Sequence, residues 1–231
     1  MGPEAGPGDG QMTTPLATEN LRAVLTGDVV ASTRLPLEQR SHFPALFEGL
    51  PRSLGTAFGD DLLPFGVDTV RGDGFQTLVS NPAMALRVAL FIRASVRALA
   101  EVGYAHLRIA IGIGTVDFMG NRVSEGLGAA FQLSGKRLDR MKSDSRFGID
   151  CRLDGFDTGT WDVVLGLMDV LVDTWTPKQA AAVCGALKGW TQQSIADRWD
   201  VPIKQQTVAR HLKRAGWGAL VTALEHFEDS F

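Results

Sequence analysis

Between Leu21 and Leu153 short β-branched runs alternate with segments of helical period, and from about Asp154 the texture becomes helical. This order constrains the chain most, because strands separated by helices must find their partners across those helices. LRAVLTGDVV, from Leu21 to Val30, reads as a buried strand that ends in the polar turn Ala31-Ser32-Thr33. Leu62 to Val70 and Phe75 to Ser80 read as two strands joined by Arg71-Gly72-Asp73-Gly74, which is hairpin chemistry. Leu107 to Phe118 alternates for much of its length, and Gly112 and Gly114 mark it as a central strand approached closely by a neighbour or a ligand. Arg146 to Leu153 supplies a late strand.

Helices fill the gaps. Phe43, Leu46, Phe47, Leu50 and Leu54 have helical spacing, although Pro44 and Pro51 should delay or break that helix. Asn81-Pro82 caps a long helix whose face of Met84, Val88, Phe91, Ile92, Val96 and Leu99 suits a sheet, with Arg87, Arg93 and Arg97 largely off that face. SEGLGAAFQLSGKRLDRM feeds a further helix. The series strand, helix, strand, strand, helix, strand, helix, strand predicts an α+β sandwich of the ferredoxin-like kind over residues 20–153, with helices on one face of a mainly antiparallel sheet. Residues 1–19 read as a disordered lead without the regions of a signal peptide, 154–175 as a connector helix, and 176–231 as a compact all-α domain.

Composition narrows the partners. With 45% hydrophobic and 21% charged residues, and no apolar run of the roughly 18 residues a spanning helix needs, the expectation is a soluble, cytoplasmic protein with no membrane partner. A net charge of -3 argues against coating nucleic acid with the whole surface and leaves room for a local basic face. Cys151 and Cys184 have no CxxC partner and no nearby histidine pair, so both read as buried free thiols.

Two aspartates fall at strand ends, Asp28 in TGDVVAST and Asp73 in VRGDGF. If their strands are neighbours, the carboxylates meet at one edge, at a separation suited to one or two hard divalent cations. Backbone N–H groups after Asp28 would then receive phosphate oxygens. Taken singly, each aspartate reads first as the polar tip of a turn, and only the pair together favours a metal.

In order and spacing, GDVVASTRL, RGDGF, ALRVALFIRASVRAL, RIAIGIGTVDF and AFQLSGKRLD resemble the class III nucleotide cyclase catalytic domain; GDGFQ and AF-x-x-SG are similar to the SatD-like proteins of that fold. The resemblance implies that Asp28 and Asp73 bind magnesium or manganese, and that the backbone of Val29, Ala31, Ser32 and Thr33 cradles a nucleoside triphosphate. It implies a homodimer with the active site between subunits. For the ribose-orienting and transition-state residues it implies Gln132 and Lys136 if aligned on Gly128, or Leu133 and Arg137 if aligned on Arg-Leu. For the base-reading positions it offers Thr69 and Glu125, which do not support purine specificity. The alternative for Lys136, Arg137 and Arg140 is a solvated helix face.

The tail carries a second pattern. Thr176-Pro177 caps one helix, Thr191 starts another with Ile195, Ala196 and Trp199, Asp200-Val201-Pro202 turns, and Lys204 to Ala215 forms a third with Val208, Leu212 and Ala215 as its stripe. This resembles the helix-turn-helix of response regulators and sigma-factor-like proteins, which implies binding to double-stranded DNA. Gln205, Gln206, Thr207 and Arg210 suit base edges, and Lys204, His211, Lys213 and Arg214 suit phosphates. From Thr191 to Trp217 five cations face two carboxylates, a local net charge of +3. The competing expectation is a small bundle used for dimerisation, with Trp190, Trp199 and Trp217 in its core. The whole chain is thus expected to be a DNA-binding regulator with a metal-dependent nucleotide domain, or else an active nucleotidyl cyclase whose tail is a partner module.

Overall fold

The structure is a computed structural model. It describes residues 21–30, 32, 35–70, 73–99, 106–142 and 144–231, apart from the side chains at 39, 44 and 46. A five-stranded sheet has the order β2-β3-β1-β4-β5, formed by β1 (Leu21–Val29), β2 (Val67–Val70), β3 (Gly74–Val79), β4 (Leu107–Thr115) and β5 (Phe147–Cys151). β1 pairs antiparallel with β3 and β4, β2 pairs antiparallel with β3, and β4 runs parallel to β5. A single-turn helix, α1 (Leu37–Arg40), and the longer α2 (Phe43–Phe58) link β1 to the hairpin, and α3 (Ala85–Ala98) links the hairpin to β4. Then α4 (Ala129–Arg140) makes the crossover that a parallel pair requires.

Alternation in β1 sorts the two faces. Ala23, Leu25 and Val29 join the main core with Ile109, Ile111 and Ile113, whereas Val24 belongs to a second apolar cluster with Leu78, Val123 and Ala130. Helices therefore cover both faces, not one as the sequence pattern suggested. The reason lies in β4: a side chain at Gly112 would come within 2.3 Å of the Ala130 carbonyl oxygen and the Ser134 nitrogen, so its absence lets α4 lie directly on the strand. Thr26 and Ser134 hydroxyls, 2.8 Å apart, and the Gln76 amide donating to Thr26 Oγ1 at 3.1 Å satisfy the polar groups trapped there.

The three atoms nearest the missing Gly112 side chain are all backbone atoms of α4, so relief requires α4 to lift. Gly112→Ala is expected to cost about 1–3 kcal/mol. Gly135→Ala, on the open side of the same helix with nothing within 4 Å, is expected to be neutral or stabilising. Urea midpoints for the two variants check the contrast.

Pro51 does not break α2, which runs from Phe43 to Phe58 through it. Proline forfeits one helical bond, and burial of Phe43, Phe47, Leu50 and Leu54 on one stripe outweighs that loss.

The tail consists of α5 (Thr158–Asp173), α6 (Pro177–Leu187), α7 (Gln192–Asp197), α8 (Gln205–Arg214) and α9 (Trp217–Glu228). It is not set apart from the sheet: Trp161, Leu165, Met168 and Val172 of α5 lie in one core cluster that reaches from Leu25 to Val183, Val208 and Phe227. Helix α3 is the shared element, buried against the sheet on one side and the tail on the other. The arginines expected off its apolar face each hold the tail. Arg87 pairs with Glu228 at 2.6 Å, Arg93 with Asp169 at 3.5 Å and Asp173 at 2.6 Å, and Arg97 donates to the Trp175 carbonyl at 2.7 Å.

Trp161 and Trp175 are the buried tryptophans, whereas Trp190, Trp199 and Trp217 are only half-buried. No helix among the described residues is long and apolar enough to cross a membrane. Cys151 and Cys184 are free and half-buried, and burial pushes both thiols up to about 11. Alkylation of the native chain at pH 8 is therefore expected to run about 100-fold slower than in urea, since the thiolate is the nucleophile. Mass spectrometry of timed iodoacetamide reactions reads this; equal rates contradict it.

Candidate functional site

The expected phosphate turn and carboxylate pair sit where β1 meets the β2–β3 hairpin. Asp28 lies directly between Arg108 on β4 and Gly74 on β3. Arg108 grips it with two bonds, Nε to Oδ1 at 2.9 Å and Nη2 to Oδ2 at 2.6 Å, and Nη1 also reaches the Met141 carbonyl at 3.4 Å. The Asp28 hydrogen bond raises the Arg108 pKa above its usual value. Asp73 accepts the Ser32 hydroxyl at 2.5 Å, and its carbonyl takes the Val29 N–H at 2.9 Å. Val29 thus has no N–H left for a phosphate, contrary to expectation, because the strand pairing continues one residue past Asp28. Ala31 and Thr33 lie outside the described residues.

A hard divalent cation needs several anionic oxygens that are free to coordinate. Asp28 is already neutralised by Arg108, and Asp73 has one oxygen occupied by Ser32. Among the described residues no three His, Cys, Asp or Glu side chains converge on one point. Among the described residues, Asp28 and Asp73 as arranged leave few free oxygens for magnesium or manganese.

The opposite half of the expected site divides. Gln132 and Lys136 lie exposed one turn apart on α4, whereas Leu133 and Arg137 are half-buried. Arg137 crosses β5 over Gly148, where a side chain would stand 2.5 Å from its Nε, and pairs with Asp150 and Asp162. It clamps α4 to β5 and α5. Thr69 is exposed on the edge strand β2. Glu125 caps its own loop by accepting the Asn121 N–H at 2.9 Å. Sequence reading missed Asp68, the buried carboxylate that holds this loop through the Ser124 N–H at 2.9 Å and Arg122 at 3.4 Å. Burial alone would raise its pKa, but these donors outweigh burial and lower it. Its signal was faint: one acid within the four-residue strand VDTV.

The tail brings its expected residues together. Thr176 and Gln179 form a reciprocal capping box on α6, and Thr191 caps α7 by accepting the Ser194 N–H at 3.1 Å. Ile195 and Ala196 of α7 and Val208, Leu212 and Ala215 along α8 are buried together, and Trp175 Nε1 bonds the Ala215 carbonyl at 2.9 Å. Burying that stripe turns the other side of α8 outward: Lys204 at its cap, then Gln205, Gln206, Arg210, Lys213 and Arg214, are all exposed, with Thr207 half-exposed. The helix, QQTVARHLKR, contains no acid, and none of its cations has an ion-pair partner among the described residues.

His211 departs from its expected role as a phosphate cation. It is half-buried and stacked on Trp199, with ring centroids 5.7 Å apart and planes 10° apart. Burial lowers its pKa from 6.5, and Lys178, Arg210 and Arg214 push the same way, which favours the neutral imidazole. No protein-family model matches the chain, and neither does any of the curated proteins compared with it.

Proposed function

We propose that the chain is a DNA-binding regulator in which α7 and α8 form a helix-turn-helix, with α8 entering the major groove. The observation that carries this reading is the outer face of α8, an unbroken set of amides and unpaired cations free of acid and fixed by a buried stripe on the opposite side. Gln205, Gln206, Thr207 and Arg210 read bases; Lys204, Lys213 and Arg214 hold phosphates. A homodimer presenting two such units is supported by the exposed apolar stripe of Val163, Leu167 and Val170 on α5.

For the α/β part we propose a ferredoxin-like, class III cyclase-like module that takes a nucleoside triphosphate as ligand. Its support is connectivity: β1 lies between β3 and β4, with α2 and α3 as the two crossovers. Regulation is preferred to active cyclisation because Arg108 holds Asp28, Ser32 holds Asp73 and Asp150 with Asp162 holds Arg137.

Selection from a random duplex pool tests the leading reading. The full chain is expected to enrich a defined motif, and the Arg210→Ala variant to enrich the same motif with the preference at one base position lost. Equal outcomes for both proteins would remove α8 from the role of reader.

A further inference from the structure

Between the end of α3 and the helices α6 and α7 there is an open cavity of about 360 Å³. Small-molecule sites commonly span about 300–1,000 Å³ and combine an apolar lining with a few polar groups. Here Ala98, Ala181, Gly185 and Ile195 provide the apolar lining, and the two half-buried indoles Trp190 and Trp199 provide aromatic surface. Both indoles pack against the core yet stay partly exposed, unlike Trp161 and Trp175.

The charges at the cavity are Lys178 and Arg198 against Asp200, a positive balance. Arg198 is already positioned: its guanidinium carbon sits 4.7 Å from the centre of the Trp190 ring, and Nη1 bonds the Ser194 carbonyl at 3.1 Å. Lys188 approaches the same ring at 4.8 Å. A flat ring stacks on indole, and a planar guanidinium fork matches a carboxylate in two parallel bonds.

We propose that this cavity is an effector site for a planar aromatic carboxylate, its ring against Trp199 and its carboxylate on Arg198 and Lys178. The occupant would touch α8 at one remove. Trp199 lines the cavity and stacks on His211, one residue beyond Arg210, so a ligand that shifts the indole shifts the DNA-reading helix. This second step rests on the DNA-binding reading, and occupancy of the cavity does not.

Isothermal titration calorimetry of the full chain with three probes tests the site: 2-naphthoate, the uncharged 2-naphthylmethanol, and cyclohexanecarboxylate, which has the charge without the aromatic ring. Naphthoate is expected to bind with Kd of about 10 μM to 1 mM, and each of the other two about tenfold more weakly or not at all. Arg198→Gln is expected to weaken naphthoate about tenfold. Ala181→Leu, which fills the cavity, is expected to abolish binding, with an unchanged melting curve showing that the variant folds. No saturable heat at about 5 mM naphthoate overturns the proposal, as does binding that both variants leave unchanged. In a parallel titration with a labelled duplex, saturating naphthoate is expected to change DNA affinity at least about threefold, and an unchanged affinity overturns the coupling. A chain that binds naphthoate with these dependences but binds no duplex overturns the DNA-binding reading and leaves the effector site standing.

Discussion

Arg93→Ala is expected to lower the stability of the folded chain by about 3–5 kcal/mol, the range for removing one partner of a buried ion pair. Arg93 is 6% exposed and bonds Asp173 at 2.6 Å and Asp169 at 3.5 Å, with Phe147 under its guanidinium at 5.1 Å. Alanine leaves Asp169, itself 7% exposed, without its guanidinium. Burial already raises the Asp169 carboxyl from 3.8 to about 6, even though the Arg146 and Phe147 N–H groups and Arg93 favour the charged form. Because the folded pKa lies above the unfolded one, folding takes up a proton between those values. The stability contributed by this carboxyl therefore falls as pH rises from about 4 through about 6.

Without Arg93 the Asp169 pKa rises further, so the deficit of the variant is expected to be larger at pH 7.5 than at pH 5. The double variant Arg93→Met with Asp169→Asn is expected to recover part of the loss, because no charge is then stranded. Urea midpoints by circular dichroism at both pH values measure this. A deficit under about 1 kcal/mol, or one independent of pH, contradicts the role assigned to Arg93.

The same residue shows where sequence reading fails. Helical periodicity places Arg93 off the apolar face of α3, and a charge there ordinarily means solvent. Its partners, Asp169 and Asp173, lie 76 and 80 residues away, beyond any local pattern. Asp28 behaves likewise: its place at a strand end was legible, and its capture by Arg108, 80 residues on, was not. By contrast β1, β4 and the buried stripe of α8 declare themselves, since their periods of two and 3.6 are set by backbone geometry alone. Gly112 stood between these cases. A close approach could be read from it, but only the fold shows that α4 makes that approach and so covers the second face of the sheet.

Arg210→Ala is expected to reduce affinity for a selected duplex by about 1–3 kcal/mol, or about 5- to 150-fold, and to erase preference at one base position. Arg210 is exposed on the same outward side as Gln206, and its nearest bond is a long one, Nη2 to Thr207 Oγ1 at 3.4 Å, so little holds it away from a base. Lys213→Gln with Lys204→Gln should act differently: affinity falls for every sequence, and selectivity is retained. His211→Gln is expected to leave the salt dependence unchanged at pH 7.5, because the imidazole, with its pKa held below 6.5, carries no charge to lose. A drop in salt dependence with that variant would contradict the neutral, stacked state of His211.

Contact between the outer face of α8 and DNA is read by the affinity of the full chain for duplex DNA as a function of salt. Three phosphate-facing cations per copy predict that log K falls linearly with log salt, with a slope of about -2.7 per bound copy, and that the Lys204→Gln, Lys213→Gln variant brings it to about -0.9. No binding at about 20 mM salt, or a slope that the two substitutions leave unchanged, contradicts DNA contact by α8.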